Sequence, residues 1–322
     1  MMNILVVGGA GYIGSHTVNA LLASNIGVPI VFDNLSTGSR KSLPEDVIFI
    51  EGDLRNESDI QNVFNKYSID IVLHFAASIV ISESVANPIK YYENNVLASI
   101  TLLKVMLQNK VKKLIFSSSA AIYGEPKTML IDEESPTIPN NPYGNSKLII
   151  ESILKDISVA YDFSYISLRY FNAAGVHPSA KVYNDTTHLI TNVVEAAIGK
   201  KKELIIYGDD YPTPDGTCVR DYVHVNDLCD AHILSIKALC SGMKSDVFNL
   251  GSSNGYSVKE IVQIAENISG EKIKVKVAPR RNCDSAKLIA NSKKAKDILN
   301  WTAKIKINEI IADVTNKLRE NK

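Results

Sequence analysis

Short apolar runs alternate with helical periodicity along the first half of the chain. Ile4–Val7 is a run of apolar residues, short enough for a strand buried on both faces, and a helical pattern follows from Gly11 to Ser24. Val28–Phe32 and Val47–Glu51 read as the next strands, Ile60–Lys66 as helix and Ile69–Phe75 as strand. Pro88–Asn109 reads as one long helix, Lys113–Ser118 as strand, Tyr143–Tyr161 as helix and Tyr165–Arg169 as strand. Strands that alternate with helices form βαβ units, whose right-handed crossovers cover both faces of a parallel sheet. The pattern predicts an α/β fold with a doubly wound parallel sheet.

After Asn172 the rhythm loosens. Helical patterns at His188–Gly199, Val225–Cys240, Val258–Ile268 and Ile307–Leu318 are interspersed with short strands at Leu204–Tyr207 and Val247–Leu250. Asp209–Gly216 is rich in Asp, Pro and Gly and reads as loop. The 322 residues exceed what one hydrophobic core usually serves, so a main domain with a smaller one attached is expected. No repeat or low-complexity linker separates the halves, so the second domain should be interleaved with the first.

Composition changes this picture little. Apolar residues make up 45% and charged residues 22%, as in an ordinary soluble protein. Thirty-five basic residues balance 35 acidic ones, which excludes a global basic footprint for nucleic acid. The cysteines Cys218, Cys229, Cys240 and Cys283 form no C-x-x-C pair and read as free thiols in a reducing compartment. No run reaches the length of a secretory h-region or a membrane span, so a cytoplasmic protein without membrane contact is expected. The six histidines show no ligand spacing and no G-x-S-x-G elbow occurs, so no metal site and no hydrolase nucleophile are expected.

The chemistry begins where the first strand ends. Gly8, Gly11 and Gly14 fit G-x-x-G-x-x-G, and Gly9, Gly11 and Gly14 fit G-x-G-x-x-G. Alone, such glycines mark a tight turn. Between a strand and a helix they let backbone N–H groups approach a pyrophosphate at the positive helix end. The second strand ends at Asp33, nineteen residues past Gly14, where a carboxylate can accept from the adenosine ribose hydroxyls. It would repel a 2′-phosphate, and Asn34 rather than arginine follows, so NAD is favoured over NADP. Asp53, after the third strand, could meet the adenine or cap the strand end. The sheet is therefore read as a Rossmann fold.

Tyr143 and Lys147 stand one turn apart on one helix face. A free phenol titrates near ~10, and bringing it to neutrality takes about 4 kcal/mol of differential interaction. An ammonium and a positive nicotinamide ring beside it are expected to lower its pKa. An exposed Tyr with a solvated Lys is the plainer reading of the spacing. Position decides against that, because a strand runs just upstream into Ser117-Ser118-Ser119. Ligands of doubly wound folds bind beyond the carboxyl ends of strands. Ser119, Tyr143 and Lys147 then form a hydroxyl–phenol–ammonium triad.

The stretches GGAGYIGSHT from Gly8, FDNLSTGS from Phe32, EGDLRN from Glu51, HFAA from His74 and YYENNV from Tyr91 continue as FSSSAAIYG from Phe116, NPYGNSK from Asn141, LRYFNAAG from Leu168 and GTCVRDYVHV from Gly216. Together they resemble the extended short-chain dehydrogenase/reductase family, and within it the UDP-hexose 4-epimerases, from Asn3 to about Trp301. The resemblance implies NAD-dependent inversion at C4′ of a UDP-hexose through a transient 4-keto sugar, with Tyr143 as acid/base. It implies UDP-glucose/UDP-galactose interconversion, in galactose metabolism or glycan precursor supply. Alternatives are a UDP-GlcNAc/UDP-GalNAc 4-epimerase, or a sugar-nucleotide reductase or dehydratase of the same family. Residues 1–171 then form the NAD-binding domain, and 172–322 mainly the substrate domain, with segments returning to the Rossmann sheet. Besides the three glycines, the implied NAD contacts are Tyr12, Ile13, Asp33, Asn34, Asp53, Leu54, Phe75, Ala76, Asn94, Ser119, Tyr143, Lys147 and Phe171. The implied UDP-sugar contacts are Ser119, Tyr143, Asn172, His188, Leu189, Tyr207, Arg220, Arg281, Asp284 and Leu288. Pairing of Pro88–Asn109 and Tyr143–Tyr161 across a two-fold axis would give a homodimer.

Some positions depart from the family pattern. Ile79 replaces a lysine that other members place after HFA, His188 an asparagine, and Cys283 the glycine of R-x-G-D. Leu288 is intermediate in size where the residue beside the sugar N-acetyl position varies, which leaves acceptance of N-acetylated sugars open. Dehydratases need an acid/base pair right after the Ser, where this chain has Ala120 and Ala121, which cannot move protons.

Overall fold

A computed structural model of the chain describes residues 1–177, 180 and 188–320. In chain order the first half runs β1 (Asn3–Val7), α1 (Tyr12–Ser24), β2 (Val28–Asp33), β3 (Ile48–Glu51), α2 (Glu57–Lys66) and β4 (Ile71–His74). It continues with α3 (Ile81–Ala86), α4 (Pro88–Tyr91), α5 (Ala98–Gln108), β5 (Lys113–Ser119), α6 (Pro142–Ala160) and β6 (Ser164–Tyr170). The remainder is β7 (Asn172–Ala174), α7 (Leu189–Ala197), β8 (Leu204–Tyr207), β9 (Val219–His224), α8 (Val225–Cys240) and β10 (Asp246–Leu250). Last come β11 (Gly255–Ser257), α9 (Val258–Ser269), β12 (Val275–Ala278), β13 (Lys287–Leu288), α10 (Lys293–Leu299) and α11 (Ile307–Glu320).

The main sheet has seven parallel strands in the order β10-β6-β5-β4-β1-β2-β3. Strand order reverses between β1 and β4, and the carboxyl ends diverge there to open a crevice. Alternate residues serve opposite faces, so the apolar runs are explained by burial on both sides. Ile4, Val6, Ile71 and Leu73 pack with Val18 and Leu21 of α1 and with Leu228, Ala231 and Ile236 of α8. Leu5, Val7 and Val72 pack with Ile60 and Val63 of α2, Leu102 and Met106 of α5, and Ile150 and Leu154 of α6. A separate core forms from Val193 and Val194 of α7, Ile261 of α9, and Ile310 and Val314 of α11, against Leu204 and Ile206 of β8.

The doubly wound parallel sheet agrees with the periodicity, and β10 and α8 join the main sheet from late in the chain. The expected helix Pro88–Asn109 is broken into α4, a π-helical turn at Tyr92–Leu97, and α5. The strands β7, β9, β11, β12 and β13 and the helices α3 and α10 carry too few residues, or too mixed a pattern, to show a period. In β9, for example, the charged pair Arg220-Asp221 interrupts any apolar run. Among the described residues no helix is long and apolar enough to cross a membrane.

Candidate active site

The glycine loop shows why each glycine is there. Gly8 has φ +76°, and a Cβ on it would lie 2.4 Å from the amide nitrogen of Ala76, at the end of β4. A Cβ on Gly14 would lie 2.4 Å from the Gly8 carbonyl oxygen. Gly11 differs, since its Cβ would meet only that same oxygen at 3.3 Å. It caps α1 without a side-chain hydrogen bond, and the first turn holds no acid, so the helix N–H groups stay available for an anion. The residues present fit a bound pyrophosphate.

Around this loop lie the other expected cofactor residues. The Asp33 carboxylate accepts from the Ala10 amide at 2.9 Å and the Leu35 amide at 2.8 Å, so it braces the loop while each oxygen keeps a lone pair for a ribose hydroxyl. Burial pushes its pKa up, and the two amides oppose that. Asn34 donates to Asp53 at 3.0 Å, and Arg55 pairs with the same carboxylate at 2.6 Å, holding its pKa well below the usual range. Leu54 is buried beside them. The Phe75 and Ala76 amides donate to the Val7 carbonyl at 2.8 and 3.2 Å, which brings the end of β4 against the loop. Asn94 sits in the π-helical turn and donates to the Ser78 hydroxyl at 3.1 Å. Ile13 packs half-buried against the main core, and the Tyr12 hydroxyl donates to the Gly175 carbonyl, just beyond β7.

The expected triad stands at the carboxyl end of β5. The Asn141 side chain caps α6 by accepting from the Gly144 amide at 2.8 Å, and Pro142 occupies the first turn. Tyr143 and Lys147 therefore open the helix beside the strand end. The Lys147 ammonium is buried, donates to the Ser117 carbonyl at 2.7 Å, and lies 4.8 Å from the Phe116 ring centroid and 6.0 Å from that of Tyr143. Burial lowers the Lys147 pKa to about 7, against the pull of Glu151. Burial pushes the pKa of the Tyr143 phenol up, and a hydrogen bond with Ser119 partly offsets this. Ala120 and Ala121 open the tight turn after Ser119 and offer no proton donor.

The expected substrate residues other than Ser119 and Tyr143 lie in the second half of the chain. Arg220 on β9 stands in register with Leu288 on β13 and faces Asp284 at 3.8 Å. The neighbouring Asp221 is buried and accepts instead from Ser252, Ser253 and Ala290. Leu288 packs against a small core that includes Ile122, Tyr123 and Phe171. Asn172 opens β7 and pairs in register with Tyr222. The Arg281 guanidinium lies 3.9 Å from the Tyr207 ring centroid. His188 precedes α7, its ring centroid 6.1 Å from that of Tyr12, and Leu189 begins the helix. Cys283, where the family pattern has glycine, adopts a left-handed conformation with φ +69°. Ile79 is about half exposed and has no polar group to contribute.

Two polar groupings were not foreseen. Asn95, fully buried in the π-helical turn, accepts from the Ser78 amide at 2.8 Å and donates to the Ser146 hydroxyl at 3.0 Å, which ties the segment after β4 to the helix of Tyr143. Ser118 donates to Glu151 at 2.6 Å, and Arg169 holds the same carboxylate through two bonds of 3.1 and 2.7 Å. One signal was available. Glu151 falls between Ile150 and Leu154 on the buried stripe of α6, where an acid needs a partner.

The chain matches the NAD dependent epimerase/dehydratase family over residues 4–251. A UDP-glucose 4-epimerase of Halalkalibacterium halodurans is 49% identical over 306 residues, which cover 94% of this chain and 91% of that protein. The crystal structure of UDP-glucose 4-epimerase from Bifidobacterium longum in complex with NAD+ and UDP superposes with a TM-score of 0.94 at 40% identity, covering 99% of both chains. That of the Brucella ovis enzyme in complex with NAD gives 0.93 at 41% identity over 98% of both chains.

Proposed function

The chain belongs to the NAD dependent epimerase/dehydratase family, and from that premise we propose that it inverts C4′ of a UDP-hexose, interconverting UDP-glucose and UDP-galactose. The observation that carries this reading is the placing of Ser119, Tyr143 and Lys147 at the end of β5, in the crevice the glycine loop opens. When bound, NAD would supply a reversible hydride acceptor for C4′ and a positive charge that favours the phenolate. Gly8, Gly11, Gly14 and the open end of α1 would hold its pyrophosphate, Asp33 the ribose, and Asn34, Asp53 and Leu54 the adenine side. Tyr12, Ile13, Phe75, Ala76, Asn94 and Phe171 would complete the walls of that site.

Tyr143 takes the proton of the 4′-hydroxyl, relayed through Ser119, and returns it once the 4-keto sugar has presented its other face. Lys147 holds the strand end through Ser117 and provides positive charge behind the phenol. Arg220 and Arg281 bind the diphosphate, and Tyr207, Asn172, His188, Leu189 and Asp284 hold the rest of the UDP-sugar. With Ala120 and Ala121 where an elimination would need acid and base, the keto sugar is reduced rather than dehydrated. Relatives named for UDP-glucose favour that sugar over N-acetylated ones.

The division of labour at residue 171 belongs to this reading, as does a homodimer. Exposed apolar side chains support the latter: Ile89 and Ile100 on α4 and α5, Leu97 between them, and Val159 on α6. The four unpaired thiols support a cytoplasmic site of action, and the interconversion of UDP-glucose and UDP-galactose would serve galactose metabolism or glycan precursor supply. The test is incubation of purified protein with UDP-galactose without added NAD. UDP-glucose should form, and no product even with NAD supplied would reject the reading.

A further inference from the structure

His232 on α8 bridges the two strands that flank the end of β5. In the sheet, β4 and β6 lie on either side of β5, and Ser119 stands in register with Tyr170 at the carboxyl end of β6. The His232 ring meets both flanks. Its centroid lies 4.7 Å from that of Phe75, just beyond β4, and its Nε2 lies 2.6 Å from the Tyr170 hydroxyl. Both His232 and Tyr170 are buried. The direction of the hydrogen bonds follows from their partners. Nδ1 of His232 lies 2.8 Å from the Leu228 carbonyl, which can only accept, so Nδ1 carries the proton. Burial keeps the ring neutral, with its pKa lowered to about 4, and Nε2 therefore accepts from the Tyr170 hydroxyl.

The Tyr170 oxygen in turn takes the Ser117 hydroxyl, and the Ser117 carbonyl takes the Lys147 ammonium. Apolar side chains of the same size would fill this space without the cost of desolvating a phenol and an imidazole, so packing alone does not account for the pair. Neither residue is among those assigned to NAD or sugar. Phe75 and Phe171, the residue after Tyr170, are both assigned to the walls of the cofactor site. We propose that Tyr170 and His232 are positioning residues that fix the wall behind the nicotinamide ring, with His232 setting the tilt of Phe75 and Tyr170 holding the end of β6 against Ser119. The inference rests on the reading that NAD occupies the crevice.

Tyr170→Phe removes the hydroxyl and keeps the ring. The holoenzyme should keep its NAD and its KM for UDP-galactose, while kcat falls by at least about tenfold, a misplacement on the order of 1 Å being enough for ~10²-fold. After reduction in place with borohydride, its bound cofactor should fluoresce more weakly than that of the wild type at equal content, because a looser wall admits water and motion. His232→Leu, which removes the acceptor and the ring, should behave alike. His232→Gln still offers an amide oxygen to the Tyr170 hydroxyl and should recover part of both kcat and emission. The two His232 variants carry the test if Tyr170→Phe does not fold. Wild-type kcat and emission in Tyr170→Phe and His232→Leu, with only the melting temperature lowered, would overturn the proposal, as would a His232→Gln no better than His232→Leu. The wild type measured alongside separates the two readings. A wild type that holds NAD but does not turn over UDP-galactose rejects epimerisation alone, and the emission of the reduced cofactor then decides the role of the pair. A wild type that holds no NAD rejects both.

Discussion

Lys147 stands one helical turn beyond Tyr143, yet its ammonium donates to the Ser117 carbonyl at 2.7 Å and lies 6.0 Å from the phenol ring centroid. The lysine thus holds the strand end and acts on the phenol through space. Tyr143→Phe should keep its NAD and lose roughly 10²–10⁴-fold in kcat, the usual share of a positioned acid/base. Turnover within a few-fold of wild type would remove Tyr143 from the proton path.

The glycines should divide by phenotype. A Cβ on Gly14 meets the Gly8 carbonyl oxygen at 2.4 Å and the Gly9 Cα at 2.8 Å, both backbone atoms that cannot swing aside. Gly14→Ala should cost about 1–3 kcal/mol of stability, read as a lower melting temperature. Gly11→Ala meets one backbone oxygen at 3.3 Å, a tight contact that a shift of a few tenths of an ångström relieves, and keeps normal φ, so it should melt closer to the wild type than Gly14→Ala while losing NAD, since the methyl sits in the loop the pyrophosphate must approach. Equal melting temperatures for the two variants would contradict this division.

Cys283 occupies a left-handed conformation at φ +69°, which costs a side chain roughly 1–2 kcal/mol. Glycine relieves that strain and loses about 0.5–1 kcal/mol through its freer unfolded chain. Cys283→Gly should therefore be more stable by up to about 1 kcal/mol, with the bond from Asn140 to the residue's carbonyl retained. A lower denaturation midpoint would count against the strain.

Three buried imidazoles tie stability to pH. Burial lowers His74 to about 3 and both His224 and His232 to about 4. In the unfolded chain they titrate near ~6.5, so below that pH the unfolded state binds more protons than the native one. Their contribution is full above about 6.5 and is lost as pH falls toward 4. The melting temperature should drop across that window, and His232→Gln, weaker at neutrality, should drop less steeply. Parallel slopes would exonerate His232.

How far the sequence could be read followed from burial. The strands of the main sheet announce themselves because both faces are covered, which forces apolar runs such as Ile4–Val7 and Ile71–Leu73. β13 has two residues and β9 carries Arg220 and Asp221, so neither could show a period. The positions of Tyr143, Lys147, Ser119 and Asp33 at the ends of strands and in the opening turns of α6 were legible because they follow from spacing along those elements. The direction of the Lys147 ammonium was not, since it depends on the Ser117 carbonyl from another element. Nor was the π-helical turn that places Asn95, because helix and π-helix share their composition.

The late return of β10 and α8 to the first sheet has a consequence for how such a chain could be divided. A fragment ending at residue 171 would leave β6 as a naked edge and strip the cover from the apolar stripe of α1, inviting association through both. The two halves are therefore not cassettes that recombination could exchange between relatives. A crossover near residue 171 would import a foreign edge strand and a foreign covering helix. Both must fit the resident Ile166, Leu168, Val18 and Leu21 before any sugar is bound.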